Sequence, residues 1–408
     1  MLGDTFLQTL DSPRWRRLVP AEATLARLMP LLPMFGITRL ANVTGLDTIG
    51  IPVVMATRPN SRALALSQGK GLTLAAAKAS ALMESVEGWH AERIALPLKL
   101  GSFEDLCYSH VMADPERLPR LADSAYTPFT QLLWVEGRSL SRDRGVWVPY
   151  EMVHTNYTMQ MAPGSGCFQA SSNGLASGNH PLEAIIHGLC EVIERDALTL
   201  WHLRDPDTQA ATRVDLETVS DPVCRDLIAR FAKAGVEVGV WDVTSDVGVP
   251  TFLCRIVQST GAHVATIRPA TGCGTHLMRE IALSRALTEA AQSRLTHIAG
   301  ARDDMPRSAY RQSLDTELQR SWLETIRHGT PVRDFNTLPT WDGRSLRADL
   351  DELLGRLAKA GLDEAIIVDL SRPELGIPVV RVIVPGLEGV DSSPDYLLGA
   401  RGRAVIGQ

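Results

Sequence analysis

The sequence predicts a mixed α/β (α+β) fold, with sheets of interleaved strands packed against long helices in a single large domain. Three observations predict it. Short β-rich runs and long Ala- and Leu-rich runs alternate through the 408 residues without strict strand–helix regularity. A Gly-[Ile/Val]-Pro tripeptide with an Asp upstream introduces an apolar strand three times, a weak internal repeat. Three Gly-containing stretches feed three long helices, and no Pro/Gly/Ser linker divides the chain into independent units.

Residues 1–36 are expected to form a helical N-terminal extension, broken at Pro30 and Pro33, that packs on the core or on a partner. The domain proper then covers 37–408. Thr38–Pro59 turns strand-like, with Asp47 ahead of Gly50-Ile51-Pro52. The pattern returns as Trp241-Asp242 before Gly248-Val249-Pro250 and the run Thr251–Val257. It returns again as Val368-Asp369 before Gly376-Ile377-Pro378 and Val379–Val384. Pro is tolerated at the first residue of a strand, where its missing N–H removes no ladder bond. Leu132–Val135 and Val146–Val148 read as further strands, Pro222–Ala234 and Leu346–Ala360 as further helices. Arg302–Trp341 is charged and broken by Pro, and reads as a surface excursion.

Composition narrows the function classes. Hydrophobic residues make up 45% and charged residues 22%, as in ordinary globular proteins. With 41 basic against 47 acidic residues the net charge is −6, so nucleic acid is not an expected partner. The opening residues lack the apolar core of a signal peptide. The uncharged stretch 152–182 is too rich in Gly, Ser, Asn and Gln to span a membrane. Six cysteines without CxxC spacing read as reduced thiols, and a cytoplasmic protein is expected.

The chemistry is concentrated on the three long helices. The middle one follows the loop Ser171–Gly178 and runs from about Asn179-His180-Pro181 to Trp201, with Asn179 as the expected cap and Pro181 in the first turn. Glu183, His187, Glu191 and Glu194 fall on one stripe, at i, i+4, i+8 and i+11. The helix from about Leu72 to Arg93 follows Ser67-Gln68-Gly69-Lys70-Gly71 and carries Ser80, Glu84 and Glu87 in line. The helix from about Leu277 to Ala299 follows Thr271-Gly272-Cys273-Gly274-Thr275 and carries Arg285, Glu289 and Gln292 in line. Solvated faces usually mix Lys and Arg with acids at i,i+4; these narrow stripes on apolar backgrounds point to one shared site.

Several carboxylates with Ser, Asn and Gln oxygens suit Mg²⁺, which binds hard oxygen ligands. Glycine loops at helix N-termini suit phosphate, and Arg195, Arg285 and Lys70 supply countercharge. The pattern is not a Walker A loop, because Gly69-Lys70-Gly71 lacks the earlier Gly and the following Ser or Thr. Nor is it a dinucleotide fingerprint, since no GxGxxG joins a strand to a helix. His187 on a carboxylate stripe is expected to hydrogen-bond rather than ligate, and Cys190 to sit in the core. Cys273, in a glycine loop at a helix start, occupies a place where a thiol pKa can fall.

These segments resemble the YcaO family of ATP-dependent peptide-backbone modifying enzymes. The resemblance rests on Gly69-Lys70-Gly71 with Ser80-Ala81-Leu82-Met83-Glu84-Ser85-Val86-Glu87. It rests equally on Asn173-Gly174 through Asn179, Glu183 and Glu191-Val192-Ile193-Glu194-Arg195, and on Arg285-Ala286-Leu287-Thr288-Glu289-Ala290-Ala291-Gln292. It extends from about Ser61 to the C-terminal region. The resemblance makes 37–408 an ATP-binding catalytic domain. It implies ATP and Mg²⁺ as cofactors, with Lys70, Ser80, Asn179, Glu183, Arg195, Arg285 and Gln292 at the nucleotide. It places Glu84, Glu87, Glu183, Glu191, Glu194 and Glu289 at the metal, and gives Glu191, Glu194, Arg195 and Arg285 catalytic roles.

Members of that family phosphorylate an amide oxygen of a ribosomally made peptide, and a nucleophile then gives an azoline, a thioamide or an amidine. Two departures matter. Gly88 follows Glu87 where the family pattern has Arg, with Arg93 and Arg62 as possible substitutes. The chain ends Arg401-Gly402-Arg403-Ala404-Val405-Ile406-Gly407-Gln408 rather than in a Pro-x-Pro-x-Pro tail. The expectation therefore leans to a thioamide-forming enzyme working with a TfuA-like partner, and a homodimer is possible. The alternatives are an azoline-forming cyclodehydratase, a catalytically silent scaffold that binds a peptide, and a ligase or kinase for a small molecule.

Overall fold

Residues 17–158, 161, 163–259, 267–305, 316–389 and 395–407 are described in this computed structural model. In chain order, α1 (Ala21–Leu28) precedes β1 (Arg39–Asn42), β2 (Val53–Thr57), β3 (Leu66–Lys70) and α2 (Leu74–Ala91). Next come β4 (Leu98–Gly101), β5 (Arg120–Leu121), β6 (Leu132–Ser139), β7 (Gly145–Pro149), β8 (Leu175–Ser177) and α3 (Pro181–His202). They are followed by β9 (Val214–Asp215), α4 (Pro222–Lys233), β10 (Val236–Asp242), β11 (Thr251–Gln258), β12 (Ala270–Thr275) and α5 (Arg279–Ala299). The remainder is α6 (Thr316–His328), β13 (Arg333–Asp334), α7 (Leu346–Lys359), β14 (Ile366–Asp369), β15 (Val379–Ile383), β16 (Tyr396–Leu397) and α8 (Ala400–Ile406).

The weak repeat in the sequence becomes three antiparallel units of one design. β1-β2-β3 and β10-β11-β12 are separate sheets, while β14-β15-β8 forms one end of a sheet ordered β4-β6-β14-β15-β8. The Gly-[Ile/Val]-Pro tripeptide precedes the middle strand each time, and Gly50, Gly248 and Gly376 all take positive φ (75°, 74° and 63°). The third strand of each unit then leads to a long helix: β3 to α2, β12 to α5, β8 to α3. In the third unit the order is permuted, because β8 and α3 come before β14 and β15 in the chain.

A shared side-chain brace shows how deep the repeat goes. Asp242 and Asp369 close the first strand of their units and pair with Phe252 and Val380. Their carboxylates accept from the N–H of Thr244 and Ser371. Those hydroxyls in turn accept from the N–H of Thr251 and Val379, where the middle strand begins. In the first unit the same part is played by Asn42, which pairs with Val54, and by Thr44, whose hydroxyl accepts from Val53 N–H. The equivalent of the two aspartates is therefore Asn42, not Asp47. Asp47 instead holds the buried Arg294 of α5 at 2.8 Å.

The stretches read as glycine loops before α2 and α5 are strands. Their glycines let helices lie directly on the sheet: a β-carbon at Gly69 would sit on the backbone of Ala77 and Ala81, and one at Gly272 on that of Ala286 and Ala290. The helix begins beyond them, so these glycines pack rather than cradle an anion. α3 likewise starts one residue later than the Asn179 cap implies. His180 is its cap, accepting from Leu182 N–H, and the Asn179 carboxamide is used elsewhere.

Residues 302–341 are only partly a surface excursion. Within them α6 buries Leu323 and Ile326 in a cluster with Trp201, Trp241 and Leu253, and 306–315 lie outside the described residues. Of the N-terminal stretch, 1–16 lie outside them too. Leu28 and Phe35 are buried with Val54, Leu82 and Trp89. Roughly 25 cal/mol per Å² of apolar surface removed from water makes such clusters the main stabilising term.

Candidate active site

Counting from the caps Thr73, His180 and Met278 puts the three helices in one register. Ser80, His187 and Arg285 correspond; so do Glu84, Glu191 and Glu289, and then Glu87, Glu194 and Gln292. The helices close a ring, each resting on the last strand of another unit: α2 on β8, α3 on β12 and α5 on β3. The polar stripes face these junctions, which is why residues more than two hundred positions apart meet.

The α5–β3 junction is closed by pairing. Lys70 donates to Glu289, and Gln292 donates to the Gln68 carbonyl at 2.9 Å. The other Glu289 oxygen accepts from Cys273 N–H at 3.3 Å. Burial pulls the Glu289 carboxyl up, but Lys70 and Arg195 beside it outweigh that and hold it below the usual range.

The α2–β8 junction is acidic. Glu87 accepts from the N–H and the hydroxyl of Ser177, at 2.8 and 2.7 Å. Burial, with Glu84 and Glu191 nearby, still raises its pKa to about 8. Glu84 remains open to water on the stripe it shares with the partly buried Ser80. Glu191 also rises to about 7, through burial set against Arg195, Arg381 and Arg285. Desolvation penalises the charged form, and the cations nearby offset it only in part.

The α3–β12 junction lies between these extremes. Glu194 is 2% exposed, and its Oε2 is buried with no hydrogen-bond partner. Arg195 stands 3.6 Å from the other Glu194 oxygen. Burial raises the Glu194 carboxyl, and burial with Glu289 and Glu194 beside it pushes the Cys273 thiol well up. The expectation of a lowered thiol pKa fails because Cys273 sits inside a buried strand, not at a helix start. Cys190 is core as expected, its thiol pushed up to about 12 by burial. Burial, with Arg285 and Arg17 near, drives His187 well below its ordinary value, so it stays neutral. The Arg285 Nε is buried and has no hydrogen-bond partner.

Asn179 and Glu183 stand apart, at the start of α3, and both are engaged by the N-terminal segment. The Glu183 carboxylate accepts from Leu18 N–H at 2.6 Å and from Asn179 N–H at 2.9 Å, with Arg17 at 3.6 Å. The Asn179 carboxamide oxygen accepts from Thr24 (3.0 Å) and Arg27 (2.9 Å). Sequence reasoning missed Arg17, Thr24, Arg27, Ser177 and Arg381. Of these, Arg381 left a readable trace, as the only charge in the apolar run Val379–Val384.

The donor set suits a hard divalent cation in kind: carboxylate oxygens in excess of nearby cations, one of them buried and unpartnered. Among the described residues no three His, Cys, Asp or Glu are gathered tightly enough to hold an ion without movement.

A family model described as YcaO cyclodehydratase, ATP- and Mg²⁺-binding, matches residues 68–388. The chain belongs to the YcaO family. ATP and Mg²⁺ are the cofactors that go with that family. The chain is 38% identical over 400 residues to an uncharacterized protein in the tfuA 3′ region of Rhizobium leguminosarum bv. trifolii, covering 95% of this chain and 91% of the relative. Its fold is similar to that of YcaO from Methanopyrus kandleri bound with AMPPCP and Mg²⁺ (TM-score 0.74, 24% identity, 97% of this chain and 99% of that one). It is similar too to a heterocyclase in complex with substrate and cofactor (TM-score 0.73, 23% identity), covering 95% of this chain but 55% of that longer one. No helix among the described residues is long and apolar enough to cross a membrane.

Proposed function

We propose that this YcaO chain uses ATP and Mg²⁺ to activate a backbone amide of a ribosomally made peptide or protein by O-phosphorylation, and that the product is a thioamide. The observation that carries the reading is the acidic α2–β8 junction, where Glu84, Glu87 and Glu191 share a site and the cations nearby do not offset the burial of Glu87 and Glu191. Such a site is poised for a cation. Glu84, Glu87, Glu191 and Glu194 would hold the metal, and Glu289 would join them on release from Lys70. Arg195 and Arg285, with Lys70, would face the phosphates, while Ser80 and Gln292 line the same stripes. Asn179 and Glu183, with Arg17, Thr24 and Arg27, form the other end of the nucleotide site.

An amide carbon is a poor electrophile because of resonance; ATP supplies the phosphoryl group that turns its oxygen into a leaving group. The residues' own work is electrostatic. Arg195 and Arg285 hold fixed charge where negative charge develops, in a site partly closed to water, where such groups are worth most. His187, kept neutral, can accept or donate one hydrogen bond without adding repulsion to Arg285. The relative in the tfuA 3′ region favours a thioamide made with a TfuA-like partner, since thioamide-forming members of the family often work with one. The family description favours a second product, an azoline formed by loss of water. Incubating enzyme, partner, peptide, ATP, Mg²⁺ and sulfide and following peptide mass decides between them. Exchange of oxygen for sulfur supports the thioamide; loss of one water without sulfide supports the azoline. ATP turnover with neither change sinks the peptide reading.

A further inference from the structure

The position after Glu87 is Gly88, whereas its counterpart after Glu194 is Arg195. The space at Gly88 is taken by the Arg58 guanidinium, 3.0 Å from where a β-carbon would stand. That guanidinium is already neutralised, because it is buried against Glu92 at 2.6 Å. Arg93 is paired with the same Glu92 at 2.8 Å, and Arg62 reaches only its carbonyl. None of the three faces the acidic junction as a free charge.

Arg381 does. It is 1% exposed on β15, and its strand neighbours Val380 and Val382 are buried apolar residues. Among the described residues its guanidinium meets no carboxylate, and it donates to three carbonyls: Val153 (3.3 and 3.0 Å), Ser171 (2.8 Å) and Asn173 (2.7 Å). Those carbonyls stop just short of β8, whose Ser177 holds Glu87. The corresponding middle-strand positions in the other two units are Met55 and Leu253, both apolar. Burying a charge without an ion partner is expensive, so the third unit departs from its own repeat at a real cost. Burial lowers the Arg381 pKa to about 10, while Tyr157, Glu191 and Glu87 oppose that fall.

We infer that Arg381 is the positioning residue of the acidic junction: from β15 its guanidinium pins residues 171–173, so that Ser177 holds Glu87 in place. Arg381 touches no reacting group. Its role rests on the cation-binding reading of this site, but not on the identity of the peptide product.

The test compares Arg381→Lys and Arg381→Gln by the Mg²⁺ dependence of ATP turnover, with Arg58→Gln as control. In Arg381→Gln the half-saturating Mg²⁺ concentration is expected to rise about 10-fold, the scale of losing an outer support of a metal site. Arg381→Lys, which keeps a donor to these carbonyls but not the fork that spans all three, should recover part of that shift while melting lower than wild type. Arg58→Gln should lose stability and leave the Mg²⁺ dependence alone. If both Arg381 variants melt lower by similar amounts and keep the wild-type Mg²⁺ dependence, the residue is only a structural clamp and the inference is overturned. Should Arg381→Gln not fold, Arg381→Lys and Arg381→Lys/Glu87→Gln carry the comparison by thermal melts. Removing Glu87 should destabilise the Lys background less than the wild-type background; equal effects overturn the inference. Absence of any Mg²⁺ dependence in the wild type would instead defeat the cation-binding reading.

Discussion

The α5–β3 and α2–β8 junctions have the same backbone design and opposite electrostatics. At the first, Lys70 and Gln68 answer Glu289 and Gln292, and the carboxyl is held below its usual range. At the second, Ser177 is the one partner of Glu87 among the described residues, and that carboxyl rises to about 8. Strand register, glycine packing and helix phase set where a side chain stands; they do not set its charge. A threefold scaffold can thus close one junction by pairing and leave another acidic by changing a few side chains.

The comparison breaks most visibly if the acidic side is made neutral. Glu191→Gln or Glu194→Gln keeps volume and removes a repelling charge, so the fold should persist. ATP turnover should drop by about 100-fold or more, as when a preorganised electrostatic contact is lost. Unchanged turnover at matched stability would take these two acids out of the mechanism.

The next largest effect comes from opening the closed side. Lys70→Met leaves Glu289 without its main partner and adds it to the acidic set. Loss of a charged hydrogen-bond partner in a partly buried place costs about 2 kcal/mol. The metal-free protein should melt several degrees lower, and Mg²⁺ with ATP should recover more of that stability than it adds to wild type. A melt identical to wild type would show that Glu289 needs no partner.

A pH series sharpens the contrast further. Glu87 and Glu191 bind protons more tightly in the folded chain than in the unfolded one. Their contribution is therefore fully present below the ordinary Glu range and is lost as pH rises towards about 8. Without Mg²⁺ the melting temperature should fall by a few degrees between about pH 5 and pH 8. With Mg²⁺ present the fall should shrink, because the ion replaces the protons. A metal-free protein more stable at pH 8 than at pH 5 would contradict the acidic-junction picture.

How much of this is legible in the sequence depends on range. The helix stripes follow from local spacing, so Glu84, Glu191 and Glu289 align from the order of residues alone. The permuted third unit is not legible as such, because β8 and α3 come far earlier in the chain than β14 and β15, which they join. Glycine has two uses, anion cradles and close packing. Ser67–Gly71 and Thr271–Thr275 read as the first and prove to be the second, since only the seated helix shows what the missing β-carbon makes room for. The N-terminal contacts to Asn179 and Glu183 are also hidden, because nothing local in Arg17, Thr24 or Arg27 names a distant partner. The Asp47 assignment fails for a simpler reason: Asn can do what Asp does in a brace that accepts from backbone N–H.

That brace gives the smallest expected effect, and it tests whether the three units really are alike beneath their unlike junctions. Thr44, Thr244 and Ser371 each pass a hydrogen bond from an Asx at the end of one strand to the first N–H of the next. Thr44→Val, Thr244→Val and Ser371→Ala each remove the hydroxyl and keep most of the volume. Each should cost about 1 kcal/mol, the net worth of one such bond, and the three costs should agree within the uncertainty of the melts. ATP turnover should be unchanged in all three, because these hydroxyls serve the backbone at strand ends. Asp47→Asn should behave differently: it weakens the pair with buried Arg294, so its cost should follow loss of an ion pair rather than of a brace. Three unequal brace costs would mean that the units share a path in space without sharing their energetics. The division between closed and acidic junctions would then reach below the side chains into the scaffold itself.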